Sequence, residues 1–375
     1  MLDLTDFLDP IDPYLLSDDQ GYKEGQIGRS ILHYNEEFPD LTDIDLVLLG
    51  CGEQRGAGLG GGDNSAPDGI RHQFYSLYFW HKELKLADIG NIRYGATLAD
   101  VYAAFRLVVK ELLDLGKTVV ILGGTHDLTL AQYEVYRDQK KTIEAVCIDA
   151  LIDLTIESPK RSDNFLMEML TGEPNFIRHY NHLAFQSYLV HPQMLETMDK
   201  LRFDCYRVGQ VKEQLDEMEP VFRNSNMLSV DISALQYGAA PANYVSPNGL
   251  NGEEACTLTR FAGMSPIINS IGIYGYIAEQ DQHQLTAKQI SQMLWYFIDG
   301  RYKGLQESSL QDKDNFYEFH TSFSEVETIF LQSKRTGRWW MQLPNKNYIA
   351  CSHNDYMLAS SNEIPERWLR AQERE

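Results

Sequence analysis

The chain has 375 residues, with 43% apolar and 23% charged, and its 54 acidic against 33 basic residues give a formal charge of −21. Such a length and apolar content allow one large α/β domain or two ordinary ones around a sizeable core. The acidic surface repels phosphate backbones and anionic membranes, which argues against nucleic acid as a partner. No apolar run approaches the roughly 20 residues needed to span a bilayer. The amino terminus, Met1-Leu-Asp-Leu-Thr-Asp6, is acidic where a secretory leader is basic. The five cysteines lack metal-finger spacing, so reduced thiols and a cytoplasmic location are expected.

Residues 1–40 are acidic and punctuated by proline, and read as a surface arm. Asp45–Leu49 is the first strand, and it feeds the glycine-rich run Gly50–Gly62, followed by Ser65-Ala-Pro67, where a helix should start. The run lacks the lysine of a phosphate loop, and its glycine spacing is not a dinucleotide fingerprint. A conformationally demanding loop is therefore favoured over a nucleotide site.

Helical spacing of Leu98, Val101, Tyr102, Phe105, Val108, Leu112 and Leu115 predicts a helix over residues 97–115, capped by Thr97 and Asp100 and ended by Gly116. The strand Thr118–Leu122 follows, then Gly-Gly-Thr-His126, then a helix from Asp127 through Tyr136. Ile143–Ile148 reads as a second buried strand, leading into Asp149-Ala-Leu-Ile-Asp153. Further strands are expected at Cys205–Val208, Met227–Val230 and Ile271–Ile277, with a long helix over Thr286–Phe297. Alternating strands and helices argue for an α/β fold, a mostly parallel sheet covered on both faces. Residues 301–375 are rich in aromatics, and Lys334–Trp340 has the look of a hairpin turn with its flank. The simple expectation is that these aromatics pack on the main domain; a partner-binding or site-covering appendage is the sharper one.

Ligands in open α/β sheets collect beyond the carboxyl ends of strands. His126, Asp149, Asp153 and Asp231 all fall there. Three carboxylates and an imidazole are unfavourable to gather in a half-buried rim unless a cation compensates, and oxygen-rich ligation suits Mn²⁺ or Mg²⁺ better than Zn²⁺.

Gly123-Gly-Thr-His126, Asp149-Ala-Leu-Ile-Asp153 and Ser229-Val-Asp-Ile-Ser233 occur in the order and spacing of the arginase, agmatinase and formiminoglutamase (ureohydrolase) family, which this chain resembles over roughly residues 40–300. Ala87-Asp-Ile-Gly90, Pro247–Glu254 and Asp281 ahead of Thr286-Ala287 add to the likeness, and Gly249–Glu254 looks closest to formiminoglutamase-like members. The resemblance implies a three-layer α-β-α domain over residues 41–300, with residues 301–375 as an extension packed on it. It also implies hydrolysis of a linear amidine or guanidine C–N bond by a hydroxide bridging two Mn²⁺ ions.

The family's first shell is a His, an Asp-x-His-x-Asp segment and an Asp-x-Asp segment. Here Leu151 stands for the middle His and Ser233 for the second Asp of the last motif. The four matches, His126, Asp149, Asp153 and Asp231, are the ligands of one family metal, and both losses fall on ligands private to the other. At most one Mn²⁺ is expected, with Asp149 and Asp231 orienting its water if the centre is active. The family's proton-shuttle histidine has no counterpart in Ser162–Glu168. Glu254 matches the glutamate that holds the substrate's cationic group, and Asn164 is a second candidate for substrate binding. The expected ligand is thus a small cationic or amidine-bearing metabolite, and the expected assembly a homo-oligomer. The alternatives are a non-catalytic descendant that binds a metal, a cationic metabolite or an assembly partner, and, ranked last, a nucleotide-binding protein.

Overall fold

The computed structural model describes residues 3–15 and 21–373. Its main sheet contains β1 (Leu8–Asp9), β2 (Leu32–His33), β3 (Leu46–Cys51), β4 (Leu86–Ile92), β5 (Thr118–Gly123), β6 (Ile143–Ile148), β7 (Ile177–Phe185), β8 (Asp204–Arg207), β9 (Met227–Asp231) and β10 (Ser270–Tyr274). Their order is β1-β4-β3-β5-β10-β9-β6-β7-β8, with β2 also on β4, and every pairing is parallel except β1 on β4.

Alternation along the strands builds the layers. Leu46, Leu48, Val120, Leu122, Val146 and Ile148 join one core, with residues of the helices Ser65–Tyr75, Gly252–Met264 and Leu285–Gly304. Val47, Leu49, Val119, Ile121, Ala145 and Cys147 join the other, with the helices Leu98–Asp114, Leu128–Asp138 and Phe165–Thr171. A sheet buried on both faces explains why its strands read as unbroken apolar runs. The expected three-layer α-β-α architecture is present. Thr97 and Asp100 form the capping box read from sequence.

Three expectations need correction. Before residue 40 the described chain is tied to the domain rather than lying wholly as a surface arm: the two-residue strands β1 and β2 pair with β4, and Leu8 and Ile27 are completely buried. β10 stops at Tyr274, short of Ile277, because Gly275 turns to φ +79°. β7 was not expected; His179, Asn181 and His182 are buried within it and disguise its period.

Beyond the last long helix, β11 (Phe316–Phe323), β12 (Val326–Ser333), β13 (Trp339–Gln342) and β14 (Tyr348–Cys351) form a separate antiparallel sheet. Its aromatics largely pack on each other rather than on the main domain. Trp339 stacks on Tyr356 at 5.1 Å and on Phe319 at 5.1 Å, because one face of the sheet is covered by the helix His353–Ser360. The junction to the α/β layers is ionic and polar. Arg223 donates to the carbonyls of Trp339 (2.6 Å) and Cys351 (3.1 Å) and lies 4.5 Å from the Trp340 ring centre, and Arg338 donates to Met264 O at 3.0 Å. The final helix, Glu366–Glu373, pairs Arg370 with Asp204 at the start of β8.

Candidate metal centre

His126 sits in the turn between β5 and the helix Leu128–Asp138. The turn is fixed from the side by the loop after β3: Thr125 N–H donates to Glu53 O at 3.0 Å. A Cβ on Gly124 would lie 2.0 Å from that same oxygen, so only glycine permits the approach. The glycine-rich loop thus wraps the turn that presents His126.

β6 ends at Ile148, and the chain leaving it carries Asp149 and Asp153; β9 ends on Asp231. All three carboxylates are buried and converge on one ring nitrogen. His126 Nδ1 lies 3.0 Å from Asp153 Oδ2, 3.1 Å from Asp149 Oδ2 and 3.8 Å from Asp231 Oδ2. On the other side Nε2 is 3.0 Å from Ser229 Oγ, which is 2.5 Å from Thr129 Oγ1. The ring packs edge-on against Phe165 at 4.8 Å. Hence the structure brings together the four residues expected to hold a metal.

The donor arrangement fits a cation. With the Nε2 proton given to Ser229, Nδ1 presents a lone pair to three carboxylate oxygens, an arrangement that repels unless a positive charge lies between. A proton can supply it: burial alone would lower His126, but Cys147 and the carboxylates of Asp149 and Asp153 outweigh it and hold the imidazolium well above its ordinary value. Burial and the neighbouring Asp149 push Asp153 well above the usual carboxylate range, and burial carries Asp231 up to about 6. Asp149 moves the other way; burial opposes its ionisation, but His126 holds it below the ordinary range. One imidazolium thus leaves this carboxylate set under-compensated, whereas a divalent ion facing Nδ1 and the Oδ2 atoms would balance it with hard oxygen donors suited to Mn²⁺. A softer set, His126, Cys147 and Asp149, also has ligand atoms within 4.8 Å of one another. Cys147 Sγ, however, lies 3.7 Å from Nε2, on the side away from the carboxylate cluster, so one ion cannot use both groups fully.

The far oxygens of Asp149 and Asp231 are already engaged. Asp149 Oδ1 accepts from Leu151 N–H at 3.0 Å and from the Ser233 hydroxyl, and Asp231 Oδ1 accepts from Ser233 N–H at 2.7 Å. The other sequence candidates have local partners. Glu254 closes a capping box with Asn251 and takes Lys212 Nζ at 3.0 Å. Asn164 donates through Nδ2 to Ser158 O at 2.9 Å. Asp281 accepts from Thr286 and Ala287 N–H at 2.9 and 3.0 Å, capping their helix.

Sequence reasoning did not find Ser229, Cys147, Phe165 or His182, whose Nε2 lies 3.3 Å from Asp149 O. The first two were within reach. Each lies two residues before a candidate ligand in sequence, and the register pairs Cys147 with both Ser229 and His182.

The family model described as Arginase family matches residues 44–299. The chain belongs to the arginase family. Among its relatives, the formimidoylglutamase of Staphylococcus haemolyticus is 29% identical over 119 residues, covering 30% of this chain and 38% of that protein. That of Macrococcus caseolyticus is 31% identical over 124 residues, covering 31% and 39%. The match thus spans well under half the length of these relatives. The fold is shared more widely. Trypanosoma cruzi formiminoglutamase, solved with Mn²⁺, superposes with a TM-score of 0.63 at 18% identity over 71% of this chain and 99% of that one. The agmatine ureohydrolase of Thermoplasma volcanium gives 0.60 at 20% identity over 75% and 95%.

Proposed function

We propose that this arginase-family protein holds a single Mn²⁺-class ion between His126, Asp149, Asp153 and Asp231, and hydrolyses a linear amidine or guanidine C–N bond there, formiminoglutamase-like in substrate class but with a reduced centre. The carrying observation is the division of labour within Asp149 and Asp231: each turns Oδ2 toward His126 and ties Oδ1 to the protein's own donors. A second ion sharing those carboxylates would have to displace Ser233 and Leu151 N–H, and it would find a leucine and a hydroxyl instead of an imidazole and a carboxylate. When bound, the ion supplies Lewis acidity and a more acidic water. The chain's own groups do the rest. Ser229 holds the imidazole in the tautomer whose Nδ1 faces the carboxylates. Phe165 and the surrounding apolar residues exclude bulk water from that face, and Asp149 and Asp231 accept hydrogen bonds from a water placed beside them.

A second reading, a non-catalytic member that binds a metal or cationic metabolite or serves as an assembly partner, is favoured by a separate observation. Glu254, the match to the family's substrate-holding carboxylate, is already neutralised by Lys212. Metal analysis of the purified protein, with assays on formiminoglutamate, agmatine and arginine in added Mn²⁺, separates the two. About one manganese per chain, with turnover abolished by Asp231→Ala, supports hydrolysis. One manganese without turnover, and turnover gained by Leu151→His/Ser233→Asp, makes the protein a disabled descendant. Two equivalents per chain overturn the one-ion centre.

A further inference from the structure

β2, β3 and β4 run parallel to β5, so their amino ends lie at the opposite end of the sheet from His126. There they open onto a cavity of about 420 Å³, a size found among small-molecule sites. Its apolar wall is Ile44, Leu84 and Leu86, with Phe79 and with Leu32, which remains 47% exposed. The charged residues of its lining are Arg29, Lys82 and Lys85, with no acid among them, on a chain that carries 54 acidic residues against 33 basic. Glu24 and Glu83 are exposed nearby in sequence, and neither lines the cavity.

Two of these three exposed cations have no partner within the described protein. Among the described residues Arg29 and Lys82 make no ion pair and no side-chain hydrogen bond, and Lys85 reaches only the exposed Asp43 at 3.4 Å. Several arginines elsewhere in the fold are paired with carboxylates, as Arg71 is with Asp88 and Arg223 with Glu219. Like charges on one cavity lining repel, and an anion among them relieves the repulsion while accepting hydrogen bonds from Arg29 and Lys82, which have no partner among the described residues.

We propose that this cavity binds a small amphipathic anion, a carboxylate or phosphate head held by Arg29, Lys82 and Lys85 with an apolar body laid against Leu32, Phe79 and Leu84. It is a ligand site of opposite charge preference to the carboxylate-lined centre. Calorimetric titration of the intact protein with octanoate, octyl phosphate, octanol and acetate tests it. Both octyl anions bind, octanol binds at least roughly tenfold more weakly, acetate gives no heat, and added salt weakens octanoate but not octanol. The ratio of octanoate to octyl phosphate identifies the preferred head. Arg29→Glu/Lys82→Glu lowers octanoate affinity roughly tenfold or more at an unchanged melting midpoint, and Lys110→Glu, remote from the cavity, leaves it alone. Octanol binding as tightly as octanoate, or octanoate binding unchanged in the double variant, overturns the proposal. So does a double variant that alters sedimentation while octanoate fails to bind the parent, which would assign these cations to contact between copies.

Discussion

His126 has its two ring nitrogens in different worlds, one facing carboxylates and the other a hydroxyl pair. Ser229 is therefore the residue that orients the ring on which the candidate centre depends. Removing its oxygen leaves Nε2 with only the weak partner Cys147 Sγ at 3.7 Å, frees the ring to tilt and weakens the bias toward the useful tautomer. Ser229→Ala should weaken Mn²⁺ binding by about 10–100-fold with little loss of stability, measured by titrating Mn²⁺ into metal-stripped protein. At this scale the sequence is partly readable. His126, Asp149, Asp153 and Asp231 announce themselves because charged residues at the ends of apolar strands need a reason. Ser229 and Cys147 do not, because a small residue inside a strand looks like packing until the register sets it beside a ligand. Phe165 is invisible for another reason: it reaches His126 from a helix whose position depends on the whole of the loop after β6.

At the scale of elements, where a strand stops decides where its last side chain points. β9 and β10 are parallel neighbours, with Asp231 opposite Tyr274. The next residue, Gly275, turns away at φ +79°, and a Cβ there would lie 2.5 Å from Asp231 Oδ2. Gly275→Ala should lose about 1–2 kcal/mol from the left-handed backbone alone. It should also push Asp231 off its place, so that urea unfolding shifts and Mn²⁺ affinity falls together. Strands with continuous β-branched or leucine runs, such as β3, β5 and β6, were legible because burial on both faces demands that composition. β7 was not, because His179 spends its polarity on Asp204 at 3.0 Å and His182 on Asp149 O, partners far away in sequence. β1 and β2 were too short to show any period at all.

For the whole molecule, the question is how a second, antiparallel sheet is held to a domain whose own core is complete. The answer is a pair of arginines rather than an apolar interface. Arg223 is buried, bonded to Glu219, capped by two carbonyls of the second sheet and stacked on Trp340. Arg223→Ala would strand Glu219, whose remaining cation, Arg338, stands 3.8 Å away. Breaking such a pair destabilises by about 3 kcal/mol or more. Denaturation followed by tryptophan fluorescence should show the second sheet, which contains Trp339 and Trp340, releasing before the α/β layers. The sequence displayed the aromatics of this region and the hairpin between β12 and β13, but a single guanidinium serving two carbonyls and a ring leaves no pattern in the primary structure.

The placement of the final helix has a consequence for solubility. A ten-stranded sheet has two flanks, each a row of unpaired amides able to recruit another chain. One flank is blunted by the two-residue β1, which runs against its neighbour, and by β2 beside it. The other ends at β8, four residues long, where Arg370 from the last helix is clamped on Asp204. Cutting the chain before Glu366 would strip that guard, and with it Trp368, which is buried against Phe323 in the second sheet's own core, while leaving the residues of the candidate centre in place. Light scattering of the shortened protein should rise with concentration and time, and an Arg370→Glu change in the full chain should reproduce part of the effect. The carboxyl-terminal tail would then be a guard against self-association, independent of any chemistry at His126.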